Sequence, residues 1–294
     1  MKFEKFIQPF IVPPGAKVSL KKDHDPGYTA DFATKKGASR ILQRDVGLLA
    51  EYQDKLYAQN THALLIILQG MDAAGKDGTI KHVMSGLNPQ GCDVHSFKAP
   101  SEEELDHDYL WRTSKVLPER GRIGIFNRSH YEEVLVVRVH PELLERQHLP
   151  SWLKKDKDIW KRRFEEINAF ERYLHQNDII VLKFFLHVSR DEQKRRFLER
   201  IEQRERNWKF SASDAKERVY WKDYLAAYED MLGHTSTVWA PWYVIPADNK
   251  WFTRLAVAAI IVAKMKEIDP QYPTVTEEHR KELLEAKRML EAEE

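Results

Sequence analysis

The chain has 294 residues, 42% of them hydrophobic and 32% charged, which is enough for one large domain with a sizeable core. A formal net charge of +1 excludes a global field that draws in polyanions, so any such partner must meet a local basic patch. A single cysteine, Cys92, excludes an intrachain disulfide and a cysteine-built zinc site, and the sequence shows neither a signal-peptide core nor a run of about 20 apolar residues, so a cytoplasmic protein with no membrane partner is expected.

Residues 1–34 read as an irregular arm with turn signals at Pro13-Pro14-Gly15 and Asp25-Pro26-Gly27. Its Phe3, Phe6, Phe10, Ile11 and Val12 predict packing against the body or a neighbouring subunit. Helical spacing of Ile41, Val46, Leu48, Leu49 and Tyr52 predicts a helix over 35–60. An apolar run at 63–68 predicts a strand buried on both faces. A helix over 77–87, a strand at 93–97 and a capping box at Ser101 and Glu104 follow. Next come a strand at 121–126, helical patterns over 130–176 and a strong strand at 179–186. A basic helix from Arg190, a helix over 213–232, a strand at 242–246 and a helix over 250–268 complete the body. The tail, 271–294, is a charged helix with no strong core face. The expected organisation is therefore an arm (1–34), a body (35–270) carrying a lid at about 190–212, and the tail. Strands alternating with helices predict an α/β fold, a parallel sheet with helices on both faces, whose ligand site lies at the carboxyl ends of the strands.

Between the first strand and the next helix lies Gly70-Met71-Asp72-Ala73-Ala74-Gly75-Lys76-Asp77-Gly78. This is a G-x-x-x-x-G-K loop. Its backbone at Gly70, Met71, Ala73, Ala74, Gly75 and Gly78 turns N–H groups toward a phosphate, Lys76 reaches the phosphate oxygens, and the following helix adds its positive dipole end. The residue after the lysine is Asp77 where Ser or Thr is usual, and Asp72 places a second carboxylate in the loop. Two like charges at 4 Å repel by about 4 kcal/mol at an effective dielectric of 20. Carboxylates beside phosphates therefore predict an intervening cation, with Asp72 and Asp77 as ligands of Mg²⁺; a helix-capping role for Asp77 is the alternative.

The third strand ends in Asn127-Arg128-Ser129, a candidate phosphate contact, followed by Glu132 and Glu133. The fourth is followed by Glu192-Gln193-Lys194-Arg195-Arg196-Phe197-Leu198-Glu199-Arg200 and then Arg204, Arg206 and Lys209. Arg196, Arg200 and Arg204 share a helix face. Glu192 and Glu199 allow a merely solvated face, but the location suits an arginine lid that neutralises charge during phosphoryl transfer. His107, His130, His140 and His187 form no H-x-x-x-H pair, which argues against a transition-metal site. Trp239, Trp242, Tyr243 and Trp251 read mainly as core.

The loop, the Asn127-Arg128-Ser129-His130-Tyr131-Glu132 segment and the basic lid ending in Trp208-Lys209 together resemble the polyphosphate kinase 2 family over about residues 30–270. Many members carry Asp where this chain has Asn127. The Asn-Arg-Ser-His-Tyr-Glu form resembles the class III subgroup, which phosphorylates both AMP and ADP. Loss of that Asp shifts the metal role to Asp72, Asp77 and Glu133. The resemblance implies a P-loop kinase-like three-layer fold. It also implies a reversible, Mg²⁺-dependent transfer (Mn²⁺ as substitute) of the terminal phosphoryl group of polyphosphate to AMP or ADP, forming ADP or ATP. Asp72, Lys76, Arg128, Arg195, Arg196 and Arg200 are then the catalytic candidates. The loop residues, Asn127, Arg128, Ser129 and Lys209 bind phosphate or nucleotide. A homotetramer or homodimer is implied, with no nucleic-acid partner. Two other readings stand beside it. An ATP-dependent nucleotide kinase predicts Ser or Thr at position 77; a non-catalytic polyanion-binding protein leaves the P-loop unused.

Overall fold

The computed structural model describes residues 3–30, 32, 35–205 and 207–293. Five strands form one sheet: β1 (Ala63–Gln69), β2 (Cys92–Ser96), β3 (Ile123–Asn127), β4 (Ile179–His187) and β5 (Trp242–Pro246). Their order is β2-β3-β1-β4-β5, and every pairing is parallel. The register sets Ile66 of β1 opposite Ile125 of β3 and Leu182 of β4. All seven residues of β1 are buried, as a central parallel strand covered on both faces requires.

Alternation along β1 divides the core. Leu64, Ile66 and Leu68 pack with Leu49 and Leu56 of α1 (Lys35–Gln59), Val83 of α2 (Lys76–Val83) and Leu255 and Val262 of α6 (Lys250–Ile268). Leu65 and Ile67 point the other way. They pack with Phe164, Ile167 and Leu174 of α3 (Ile159–Gln176) and Tyr228, Met231 and Leu232 of α5 (Trp221–Thr235). This is the expected helix–sheet–helix sandwich. The helix α4 (Arg190–Glu202) leaves the carboxyl end of β4 with Ser189 as its cap, Oγ accepting from Glu192 N at 3.1 Å. The last helix, α7 (Glu277–Glu291), has no buried residue.

Two expectations are refined. The stretch 130–176 is not continuous helix: a 3-10 turn at His130–Val134 and short helices precede α3. Pro141 begins one of those helices and Pro150 precedes another, and a proline resists helix continuation from the residue before it. The arm is partly helical at Phe3–Ile7 and Leu20–Asp23, and it packs on the body. Ile11 bridges Tyr243 in antiparallel sense and Val12 N donates to Trp242 O at 2.9 Å. The arm thus pairs with the β5 edge, which would otherwise expose unpaired backbone groups. Phe6, Phe10 and Tyr28 meet Phe252 of α6 edge to face, with centroids 6.1–6.2 Å apart. Among the described residues no helix is long and apolar enough to cross a membrane.

Candidate active site

The parallel sheet brings the ends of β1, β3, β4 and β5 to one edge, and the order reverses around β1. The loop after β1 starts at Gly70 with φ +154°, where an added Cβ would stand 2.8 Å from Leu186 O. Ala73 (φ +59°) and Gly75 (φ +109°) make the further left-handed turns that cup the loop. Lys76 opens α2 and bends back over the loop, its Nζ donating to Gly70 O at 2.6 Å. Burial, aided by the nearby Arg128 charge, pushes its pKa down to about 8.

Arg128 follows β3 in a left-handed conformation (φ +63°), and its N–H is tied to Leu68 O at 3.0 Å. That turn aims its guanidinium between two carboxylates, Asp72 at 2.6 Å and Glu132 at 2.9 Å. Glu132 first, then Asp72, hold Arg128 firmly charged. The amide of Gln69, at the end of β1, lies between Ser129 and Glu132, with 2.8 Å to Glu132 Oε1 in the orientation that satisfies both. Asn127 Nδ2 donates to Asp77 Oδ1 at 2.7 Å. An amide at this position therefore orients the loop carboxylate, where a second carboxylate would repel it.

Above the loop opens a cavity of about 780 Å³. Asp72, Lys76, Asp77, Asn127, Arg128 and Arg200, all named from sequence, line it. Four further cations line it: Lys250, at the polar carboxyl end of β5 where the sequence places a ligand site, and three that sequence reasoning passed over, Lys81 on α2, Lys98 after β2 and Arg254 one turn along α6 from Lys250. The signal at Lys250 and Arg254 was an i,i+4 basic pair opening a helix at a strand's carboxyl end, a place where ligands gather.

Three candidates occupy other positions than expected. Glu133 is not beside the loop. The 3-10 turn sends it away from Glu132, and its oxygens accept from Arg163 Nε (3.1 Å) and Gln147 Nε2 (2.7 Å). Burial there pushes its pKa up, and the carboxyl faces a different cavity, away from the loop carboxylates Asp72 and Asp77. Arg195 does not line the cavity. Its side chain is 59% exposed and held by Glu192 at 2.6 and 2.7 Å, because one helix step rotates it about 100° from Arg196. Arg196 lines the cavity but is a clamp. Its guanidinium donates to Ala73 O (2.8 Å), Ala74 O (3.0 Å) and Ala247 O (2.5 Å), and to Glu192 (2.7 Å). With Gln193 Nε2 on Asp72 O at 2.9 Å, it fastens the first half of α4 to the P-loop. Of Arg195, Arg196 and Arg200, Arg200 alone lines the cavity without such a clamp among the described residues. Arg206 and the side chain of Lys209 lie outside the described residues. Trp242 and Tyr243 are buried, and neither they nor Trp239 and Trp251 line the cavity.

The polyphosphate kinase 2 (PPK2) family model matches residues 33–273. The chain belongs to the polyphosphate kinase 2 family. It is 50% identical over 284 residues to an ADP-polyphosphate phosphotransferase of Rhodopseudomonas palustris, covering 96% of this chain and 97% of that one. It is 42% identical over 271 residues to an AMP/ADP-polyphosphate phosphotransferase of Meiothermus ruber, covering 91% and 96%. The crystal structure of polyphosphate kinase 2 from Arthrobacter aurescens superposes with a TM-score of 0.85 at 35% identity, covering 97% of each chain. A polyphosphate kinase fold with its P-loop at the carboxyl edge of the sheet thus carries the site described above.

Proposed function

We propose that this polyphosphate kinase moves the terminal phosphoryl group of inorganic polyphosphate onto AMP and ADP, reversibly. The observation that carries the reading is the cation distribution. The P-loop cavity draws basic residues from α2, the β2 and β3 ends, α4 and α6, far more than one triphosphate tail needs and well matched to a long polyanion. The names of the two relatives supply the acceptors.

The chemistry asks little of a general base, because the attacking atom is already an anionic phosphate oxygen. A P–O bond forms to that oxygen as the anhydride P–O bond to the shortened chain breaks, leaving a phosphate anion. The chain's task is to hold two polyanions in line against their repulsion. Lys76 and the loop N–H groups bind the donor phosphates. Arg128, steadied by Asp72 and Glu132, stands between the P-loop cavity and the cleft behind it, both of which it lines. Arg200, Lys250 and Arg254 neutralise the remaining chain. Asp72 and Asp77 offer hard oxygen donors on either side of Lys76, a set suited to Mg²⁺, which takes one or two carboxylates plus phosphate oxygens, with Mn²⁺ as a substitute. When bound, such an ion would be held by Asp72 and Asp77 and would offset phosphate charge during transfer.

The basic residues cluster in the cavity while net charge is near zero, which supports polyphosphate over nucleic acid as partner. Exposed Leu283, Leu284, Met289 and Leu290 on α7 support a homodimer or homotetramer. Nucleotide substrates and the lone cysteine support a cytoplasmic setting.

The test is nucleotide conversion with Mg²⁺ and long-chain polyphosphate, without ATP, offering AMP and ADP in separate reactions. ADP and ATP from AMP are expected. ATP from ADP alone would reject AMP as acceptor; transfer only when ATP replaces polyphosphate would establish an ordinary nucleotide kinase. Lys76→Ala is expected to cut turnover by about 10²- to 10³-fold, whereas a protein that merely binds polyanions would be indifferent to that change in any conversion assay.

A further inference from the structure

The last residue of β1 is a glutamine in a strand otherwise made of Ala, Leu and Ile. Gln69 is fully buried and does not line the P-loop cavity. Its side chain shares the β1 face of Leu65 and Ile67. A polar group inside a central strand calls for partners, and their identity reports its purpose.

The Gln69 amide meets two kinds of partner at once. In the orientation that satisfies both, its oxygen accepts from Ser129 N and Ser129 Oγ, each at 3.1 Å, and its nitrogen donates to Glu132 Oε1 at 2.8 Å. The reverse orientation sets oxygen against carboxylate and N–H against N–H. A carboxylate at this position lacks the donor, and an apolar side chain lacks both functions. A neutral amide supplies the donor and the acceptor together.

From Glu132 the contacts run on in a ring. Its other oxygen, Oε2, accepts from Arg128 Nη1 at 2.9 Å, and Arg128 Nη2 donates to Asp72 Oδ1 at 2.6 Å. Asp72 lies three residues beyond Gln69, so the ring closes through the P-loop backbone. Without the amide, Glu132 Oε1 has no donor among the described residues, and nothing else holds that oxygen away from Arg128.

We propose that Gln69 is a positioning residue for phosphoryl transfer: its amide fixes one oxygen of Glu132 and so leaves the other to aim Arg128 at the seam between the P-loop cavity and the cleft behind it. Gln69 acts through Glu132 and Arg128 and touches no substrate. The assignment rests on the phosphotransferase reading above, in which Arg128 meets the phosphates.

Three variants test it. Gln69→Glu keeps the size and the acceptor but replaces the donor by a second carboxylate oxygen. It is expected to lower kcat near pH 8 by about 10²-fold, the effect of a displacement of about 1 Å in a reacting site. KM for polyphosphate should stay nearly unchanged, because Lys76 and the loop N–H groups are untouched. Two facing carboxylates share a proton more readily than one holds it alone, and the protonated carboxyl restores the donor. The ratio of variant to unaltered kcat should therefore rise by about tenfold from pH 8 to pH 6. The charged and titratable groups around position 69 are Arg128 and Glu132 after β3, Asp72 and Lys76 of the loop, Tyr228 of α5 and, one rung back on β4, Lys183. Both proteins share their titration, so the ratio isolates position 69. Gln69→Met, with neither donor nor acceptor, should lose kcat with a ratio flat in pH. Gln69→Glu/Glu132→Gln returns one amide and one carboxylate in exchanged places and should recover kcat by about tenfold or more over Gln69→Glu.

A loss in Gln69→Glu recovered by protons or by the exchange supports the positioning role. Unchanged kcat in Gln69→Glu and Gln69→Met overturns it, and so does a loss that is flat in pH and not recovered by the exchange, which marks a merely structural glutamine. If Gln69→Glu does not fold, kcat of the exchanged variant against Gln69→Met decides in the same way. An unaltered chain that converts nothing with polyphosphate rejects the phosphotransferase reading instead. Urea midpoints, which need no activity, then judge the ring: a midpoint lowered in Gln69→Glu and regained in the exchanged variant supports it, and no recovery overturns it.

Discussion

Lys76 shows how one residue's setting can tie activity and stability to pH with opposite signs. Its ammonium is buried against the loop carbonyls, and its pKa is down to about 8. Phosphate binding needs the charged form. Because kcat/KM reports groups of the free enzyme, kcat/KM for polyphosphate should fall as pH rises through about 8. At saturating polyphosphate the bound phosphates hold the proton, so kcat should persist to higher pH. Stability runs the other way. Between about 8 and the unfolded value of 10.5 the unfolded chain binds the extra proton, so Lys76 contributes stability that grows with pH across that window. A pH series of kcat/KM and denaturant midpoints checks both, and a flat kcat/KM up to pH 10 would refute the assignment. Arg195 and Arg196 teach a related lesson. They are neighbours in sequence with the same charge, yet one is an exposed partner of Glu192 and the other a buried clamp on the P-loop. Only the helix phase relative to the loop separates them.

At the scale of elements, a buried network holds the turn that carries Arg128 and Glu132. Lys183 of β4 is fully buried, and its Nζ donates to Glu171 of α3 (2.6 Å), to Thr235 O of α5 (2.6 Å) and to Tyr131 Oη (3.0 Å). Tyr131 in turn donates to Glu171 Oε1 at 2.7 Å. Burial alone would raise the Glu171 pKa, but the Lys183 ammonium, with His130 beside it, more than offsets this and keeps the carboxyl below its usual range. Lys183→Met strands that carboxylate and should cost about 3–5 kcal/mol. The double variant Lys183→Met/Glu171→Leu should recover most of the loss. Since Tyr131 sits three residues from Arg128, the single variant should also lose kcat. Urea denaturation of the three proteins reads the cycle, and a loss below about 1 kcal/mol in the single variant would show that the network carries little. A lysine inside the run Ile179-Ile180-Val181-Leu182-Lys183-Phe184-Phe185-Leu186 was visible in the sequence, but its partners come from three other elements and left no local mark.

Across the whole molecule, the arm and the tail behave differently. The arm pairs with β5 and buries Phe10 and Leu20, so it is part of the core. Among the described residues the tail is anchored at Tyr272, which donates to Asp54, and α7 beyond it buries nothing. Its exposed leucines are the proposed contact with another copy, so removing residues 275–294 should lower the oligomeric state and drop the thermal midpoint by about 5 °C or more. A shift below about 2 °C with the oligomer intact would show that α7 makes no such contact.

The five strands, the layered α/β fold and the P-loop were all legible in the sequence because each is written locally. Apolar runs mark strands buried on two faces, a 3.6-residue period marks helices, and glycines mark the turns a phosphate loop needs. What only the tertiary structure decided is which charges meet. Glu132 and Glu133 are adjacent, yet the 3-10 turn sends one to Arg128 and the other to Arg163. Lys98, Lys250 and Arg254 reach the P-loop cavity because a parallel sheet delivers distant strand ends to one edge. Secondary structure follows from interactions within a few residues, whereas an electrostatic site sums charges across elements, and that sum exists only once the chain has folded.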